Sequence, residues 1–261
     1  VTVVGVTMVR DEADVIAGTL RHMADEVDAL IVADNLSSDG TRKILEELVL
    51  PCPLLIVDDL DPAYRQSEKM TALAAKAGEL GATWIVPFDA DELWVSHGDR
   101  LKVDLRDCNV DIVEAQLFNH FPSAVDPAGD DPFETIVWRQ RDPAPLPKVA
   151  FRWDSKAVIK QGNHGVTVTY EPRFAWFLEV RHFPYRSPEQ FTRKARNGAV
   201  AYAAAPELPE DVGAHWKSYG RLLADGGEEV LHDVFRRYFW HLSPADAGLV
   251  LDPAPYMRWR Q

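Results

Sequence analysis

The sequence predicts an α/β fold, with a parallel sheet over residues 1–97 continued by a mixed sheet and closed by C-terminal helices. Three observations predict it. Short β-branched apolar runs alternate with segments of helical period in the first ninety residues or so, which implies parallel strands joined by right-handed crossovers. The connections between them are short, and the polar residues gather just after each run. Beyond residue 97 the runs shorten and are separated by Pro, Gly and Asp, the pattern of mixed or antiparallel strands.

In order, residues 1–9 read as a buried strand. Asp11 is placed to cap a helix carrying Glu12 and Asp14 in its first turn, with Ile16, Leu20, Met23 and Val27 on one face. Residues 29–33 form a second strand, 34–41 a turn-rich loop, and a helix follows with Ile44, Leu45, Leu48 and Val49 inward. Residues 53–57 are a third strand. Residues 65–80 are a helix with Met70, Leu73, Ala74 and Ala77 on one face, and 84–88 are a fourth strand. Segments 110–118, 133–139, 149–153, 156–160, 165–170 and 174–182 read as further strands, with mobile loops expected at 126–131 and 142–147. Ser187-Pro188-Glu189-Gln190 announces a helix: Ser caps, Pro sits at its first position, and Gln190 can complete a capping box. A last helix, about 227–240, stacks Leu231, Phe235 and Phe239. Organisation follows: a βα half over 1–97, a mixed-sheet half of the same domain over 98–205, and a helical extension over 206–261.

The balance of 46% hydrophobic and 26% charged residues is that of a folded globular chain, with disorder expected only at the Pro-rich tail. A net charge of −13 argues against nucleic acid or anionic lipid as partner, since the chain would repel the phosphates it had to hold. Cys52 and Cys108 are too few for a disulfide framework, show no zinc spacing, and read as buried core thiols. No signal-peptide pattern and no membrane-length apolar run is present, so the expectation is a cytoplasmic protein without an integral membrane segment, with self-association left open.

Ligands in such sheets bind beyond the carboxyl ends of the strands. The residues there are therefore the candidates. Asp89-Ala90-Asp91 follows a strongly apolar strand, and two carboxylates one residue apart can converge on one hard cation that bridges a diphosphate. Asp59-Leu60-Asp61 has the same spacing in an irregular acidic stretch and reads as a solvated loop. Asp34 directly follows a strand, where an acid can take hydrogen bonds from a base or ribose. Asp39 and Thr41 can cap the next helix. Lys69, near the start of a helix at the same edge, could meet a phosphate. His164 in a Gly-Asn-His-Gly turn and His182 at the end of an apolar run are candidate base and metal ligand. The P-loop, dinucleotide, nucleophile-elbow and zincin motifs are absent.

Three segments then carry a resemblance: Val9-Arg10-Asp11-Glu12-Ala13-Asp14, Ala33-Asp34-Asn35-Leu36-Ser37-Ser38-Asp39-Gly40-Thr41, and Phe88-Asp89-Ala90-Asp91-Glu92. In order and spacing they resemble the family 2 glycosyltransferases of GT-A fold, and are also similar to family 92. The resemblance implies a nucleotide-sugar pocket lined by Arg10, Glu12, Asp34 and Asp39, with Lys69 nearby. It implies Asp89 and Asp91 as a DxD motif for Mn²⁺ or Mg²⁺ and the diphosphate, and His182 as a further metal ligand. It assigns nucleotide-sugar binding to 1–97 and acceptor binding to 98–205. Two departures stand out: position 11 is Asp where the family often has Asn, and the family's later acidic base motif is not evident.

The function implied is metal-dependent, inverting transfer of a sugar from a nucleotide-diphosphate sugar to the hydroxyl of a saccharide or small-molecule acceptor. Glu92, Asp126 or Asp130 would serve as base, with His164 on the acceptor side. Two alternatives stay open: a sugar nucleotidyltransferase, disfavoured by the acidic loop after the first strand, and a non-catalytic nucleotide-sugar-binding module.

Overall fold

A computed structural model describes residues 2–253. The expectations for the first residue and for the Pro-rich tail from 254 onward lie outside the described residues. The chain runs β1 (Val3–Val9), α1 (Ile16–Glu26), β2 (Ala29–Asp34), α2 (Thr41–Glu47), β3 (Leu54–Asp58), α3 (Gln66–Glu79) and β4 (Trp84–Pro87). It continues with β5 (Glu92–Ser96), α4 (Leu101–Asp107), β6 (Ile112–Phe121), α5 (Pro132–Thr135), β7 (Trp138–Arg139), β8 (Lys148–Arg152), β9 (Val158–Ile159), β10 (Val166–Thr167) and β11 (Phe174–His182). It ends with α6 (Pro188–Ala203), α7 (Ala214–Gly226), α8 (Glu228–Tyr238) and β12 (Val250–Leu251).

The expected α/β class is the one observed. Among the described residues ten strands share one sheet, with β4, β1, β2 and β3 adjacent and parallel. β8 then pairs antiparallel with β4, and β6 antiparallel with β8. β11 lies parallel to β6 and antiparallel to β5. The parallel part is covered on both faces. Ile16, Leu20 and Met23 of α1 bury against one face with Val3, Val9 and Trp84. Met70, Leu73, Ala74 and Ala77 of α3 bury against the other with Val4, Val6 and Ile31. The strands are apolar on both sides because both sides are inside. The C-terminal helices pack on each other through Phe191, Ala195, Leu231 and Phe235. Among the described residues no helix is long and apolar enough to cross a membrane.

Several elements differ from the sequence reading. Asp11 does not cap α1, which begins at Ile16 after Val15. It sits in the left-handed region at φ 54 and ties loops together, accepting from the Ser38 and Asp39 N–H groups and from Asn197 Nδ2. Asp tolerates that backbone because its short polar side chain bonds locally. Val49 is 90% exposed, since α2 stops at Glu47. Residues 133–139 are not one strand: Asp131 caps, Pro132 starts α5, and only Trp138–Arg139 is extended. The Asp-Pro pair is a helix start that outweighs the aromatic content around it. β5, α4 and α7 were not read from the sequence. Cys52 and Cys108 are free and half-buried at the margin of the core rather than in it.

Gly5, in the middle of β1, positions the site. A Cβ there would lie 2.9 Å from Leu30 Cδ2 and 3.0 Å from the Phe88 ring, which is wholly buried directly before Asp89. Gly5→Val should therefore overpack the sheet and lower stability by about 1–3 kcal/mol, read as a shifted urea midpoint.

Candidate functional site

The site is built on the turn between β4 and β5. Parallel β4 delivers Asp89 to the carboxyl edge, and β5 leaves in the opposite partnership, paired to β11 so that Glu92 faces His182. The turn is fixed from within: the Asp89 N–H donates to Glu92 Oε2 at 3.0 Å, and the Glu92 N–H to the Asp89 carbonyl at 3.1 Å. Phe183 N–H donates to the Asp91 carbonyl at 2.9 Å, fastening the turn to the end of β11.

Glu92, expected as a catalytic base, is instead a buried anchor. It is 0% exposed, lines none of the cavities described below, and lies 2.7 Å from Lys148 Nζ. Burial pushes its carboxyl up, against the pull of Lys148. Lys148 Nζ also donates to Asp89 Oδ2 at 2.6 Å and to the Gly162 carbonyl at 2.7 Å. The ammonium thus meets three oxygens, two by hydrogen bonds and Glu92 Oε1 as an ion pair. Asp89 Oδ1 accepts from Gln66 Nε2 and Asn163 Nδ2. Both Asp89 oxygens are thus engaged.

Asp91 is buried and lies between cations. Lys194 Nζ donates to its Oδ2 at 2.5 Å, and Arg186 Nη1 is 3.6 Å away. Burial alone would raise its carboxyl, but Lys194, His182 and Arg186 hold it well below the usual range, so it is ionised. Glu12 shows the opposite balance: burial outweighs Arg186 and Lys194 and raises it. Arg186 joins the two carboxylates, bonding Glu12, both oxygens of Asp14 and the Phe183 carbonyl.

His182 Nε2 lies 3.5 Å from Asp91 Oδ1. Its Nδ1 is 2.7 Å from Asn119 Oδ1, and Asn119 Nδ2 donates to Gln140 Oε1, which orients the amide so that its oxygen meets the ring. Nδ1 meets the Asn119 amide oxygen and so carries a proton, and Nε2 is turned toward the ionised Asp91 carboxylate. As the imidazolium, Nε2 donates to that carboxylate; with that proton lost, the nitrogen and the carboxylate oxygen can share a cation. An imidazole whose other nitrogen donates to an oxygen is the usual arrangement of a metal-ligating histidine. Asp91 and His182 are the two side chains here that could share a divalent cation. Asp89, which lines both cavities, already accepts from Lys148, Gln66 and Asn163. Among the described residues no group of three or more His, Cys, Asp or Glu side chains is arranged for a metal. A cation held by this pair would need the rest of its coordination shell from solvent or a ligand.

A cavity of about 370 Å³ opens onto this pair. Arg10, Glu12, Asn35, Asp91, His182 and Lys194 supply its polar wall. Tyr64, Tyr185, Tyr202 and Trp216 supply an aromatic one, with α6 and α7 forming the side away from the sheet. A second cavity of about 420 Å³ adjoins it, sharing Tyr64, Gln66, Asp89, His182 and Tyr185, and includes Asn119, Lys148 and His164. His164 Nδ1 donates to the Pro147 carbonyl at 2.8 Å, and burial together with the Lys148 ammonium holds the ring below the usual imidazole range.

Other expected site residues are placed elsewhere. Asp34 is buried and accepts from the Ser37 N–H, with Arg42 at 3.8 Å, but only its neighbour Asn35 lines the cavity. Asp39 joins loops: its carboxylate accepts from the Ala13 and Thr41 N–H groups and the Thr41 hydroxyl. Burial would raise it, yet those bonds hold it low. Lys69 is tied to Asp59 at 2.8 Å and to the Asp61 carbonyl, and lines neither cavity. Asp59 and Asp61 thus form an ordered loop that also binds Asn35, not a solvated one. Asp126 closes its own turn on Ser123, away from both cavities. Lys148, Lys194, Arg186 and Asn119 were missed. For Lys194 a signal existed: it lies three residues after inward-facing Phe191 and beside Ala195, hence on the inner face of a helix that Ser187 and Pro188 already marked.

No family model and no curated protein sequence matches this chain. Solved structures it is similar to include residues 1–349 of S. aureus TarS, with 11% identity over 87% of this chain and 73% of that one at TM-score 0.42. The same fragment is also solved in complex with UDP. HddC from Yersinia pseudotuberculosis matches with 9% identity over 70% of this chain and 95% of that one at TM-score 0.40. A putative nucleotide-diphospho-sugar transferase from Desulfovibrio desulfuricans G20 matches with 12% identity over 83% and 97% at TM-score 0.36. At these scores the likenesses carry no weight for reaction or ligand.

Removing the Lys148 ammonium would leave Glu92 buried and uncompensated. Lys148→Met should lower stability by about 3–5 kcal/mol, the usual cost of breaking a buried pair from one side, measured by chemical denaturation.

Proposed function

We propose that this chain is a glycosyltransferase of GT-A type that moves a sugar from a nucleoside-diphosphate sugar to an acceptor hydroxyl. The observation that carries the reading is the Asp91–His182 pair, set at the carboxyl edge of a parallel sheet and facing a cavity lined with cations and aromatic rings. The three sequence segments that resemble family 2 support it, since all three converge on that edge.

Asp91 and His182 would hold Mn²⁺ or Mg²⁺, which when bound supplies positive charge to a departing diphosphate. The donor occupies the first cavity, where Arg10, Asn35 and the aromatic wall face it. The acceptor enters through the second cavity, whose shared residues bring the two substrates together beside Asp89 and His182. The reaction is a single displacement with inversion. The acceptor oxygen forms a bond to the anomeric carbon, the bond from that carbon to the diphosphate oxygen breaks, and the acceptor proton passes to a base. We assign the base to His164, in place of Glu92 and Asp126. Its Nδ1 proton is committed to Pro147, which leaves Nε2 as the acceptor, and its lowered pKa keeps it neutral at pH 7. Lys148 and Glu92 hold the turn while this happens. The charge of the chain as a whole keeps nucleic acid away, so the phosphate selectivity is that of this one edge.

Turnover of a nucleotide-sugar panel with Mn²⁺ tests the reading, scored by release of nucleoside diphosphate rather than pyrophosphate. Asp91→Ala should abolish it, and a variant with full turnover would overturn the assignment. His164→Ala should lower turnover by about 10²–10⁴-fold without weakening donor binding. Because His164 titrates below the ordinary imidazole value of ~6.5, the acid limb of kcat/KM should begin below pH ~6.5.

A further inference from the structure

Lys148, Arg186, Lys194 and Arg10 lie closest about the two cavities, and they differ in how far their donors are used. Lys148 is saturated by three oxygens, at 2.6, 2.7 and 2.7 Å, and is 3% exposed. Arg186 is engaged by Glu12, Asp14 and the Phe183 carbonyl and is 2% exposed. These two are structural.

Lys194 and Arg10 are not used in this way. The Lys194 ammonium makes one short bond, to Asp91 Oδ2 at 2.5 Å. Its remaining neighbours stand at 3.5 Å, the Pro184 carbonyl, and 3.8 Å, Glu12 Oε1. It is 25% exposed, and it lines the first cavity. Arg10 lines the same cavity, and its Nε and Nη1 are buried with no hydrogen-bond partner among the described residues. A buried donor left unmade costs roughly 1–3 kcal/mol, and more when charged. A ligand that supplies acceptors recovers that cost. The ligand must be anionic and rich in oxygens, because guanidinium and ammonium groups both offer several donors and no acceptor. Asp91 lies between this demand and the rest of the wall: it holds Lys194 through one oxygen and faces His182 with the other.

We propose that Arg10 and Lys194 form a two-cation clamp on the diphosphate of the donor, Arg10 from the end of β1 and Lys194 from α6. This rests on the glycosyltransferase reading and deepens it by naming the residues that hold the leaving group. The clamp joins the sheet edge to a helix nearly two hundred residues away in sequence. It makes α6 part of the donor site rather than an appendage. Lys194 touches the leaving group as charge develops on it, so its loss affects turnover as well as binding.

Calorimetric titration tests the clamp, using UDP, GDP, ADP and CDP with Mn²⁺, the corresponding nucleosides, and inorganic pyrophosphate. Lys194→Ala and Arg10→Gln should each weaken the nucleoside diphosphate that binds, and pyrophosphate, by about 10–100-fold, while nucleoside affinity stays unchanged. Lys194→Arg, which keeps the charge, should restore binding to within about threefold of the parent. In the transfer assay Lys194→Ala should lower kcat beyond its effect on KM. Thermal melts confirm that each variant is folded. Wild-type binding with unchanged diphosphate affinity in both folded variants would overturn the clamp alone. Failure of the wild type to bind any nucleoside diphosphate, with or without Mn²⁺, would overturn the glycosyltransferase reading and the clamp with it.

Discussion

A buried ammonium with three oxygen partners holds the strand-to-strand turn at the centre of the molecule. Lys148 comes from β8, the strand that begins the antiparallel half of the sheet, and it binds both carboxylates that flank the turn, Asp89 and Glu92. Without it Glu92 could not be ionised at 0% exposure, since moving a bare carboxylate out of water costs several kcal/mol. With it, the turn is rigid, Glu92 closes the backbone, and Asp91 is presented to the cavity. The two halves of the sheet thereby depend on each other: one supplies the acids and the other the cation that lets them be buried.

The same logic repeats around the cavity at smaller scale. Arg186 lets Glu12 and Asp14 approach Asp91, and Asp11 joins two loops of the parallel half to α6 through Asn197. Each link runs from an acid early in the chain to a base or amide late in it. The consequence is a wall in which most charges are spoken for and a few are not. The exceptions, Arg10, Lys194 and the Asp91–His182 pair, are the groups with capacity left for a ligand, and they share one cavity.

Much of the fold was legible because periodicity is a local property. The faces of α1 and α3 and the order of β1 to β4 follow from apolar spacing that any window of the sequence displays. The elements missed are those whose local signal is weak or contradicted. β5 follows an acidic turn, and its Leu93-Trp94-Val95 core is too short to read as a strand without β11 beside it. Residues 133–139 look extended by composition, yet an Asp-Pro cap makes the first part helical. Asp126 and Lys69 looked available because nothing local shows what they bond to, and both are taken up by neighbouring turns.

The sequence by itself determined that acids would stand at the carboxyl edge of a parallel sheet, Asp89 and Asp91 among them, because strand order and strand ends are written in the apolar pattern. It also determined that a chain of net charge −13 needs local positive charge to hold a phosphate. Only the tertiary structure decided where that charge comes from. Lys148, Arg186 and Lys194 lie far beyond the acids they bond, from 59 residues for Lys148–Asp89 through 103 for Lys194–Asp91 to 174 for Arg186–Glu12. It also decided that Asp89 is tied to Lys148 while Asp91 meets Lys194 and His182. Two carboxylates one residue apart are equivalent in sequence. They become different only when the fold sets one against Lys148, Gln66 and Asn163 and the other between Lys194 and His182.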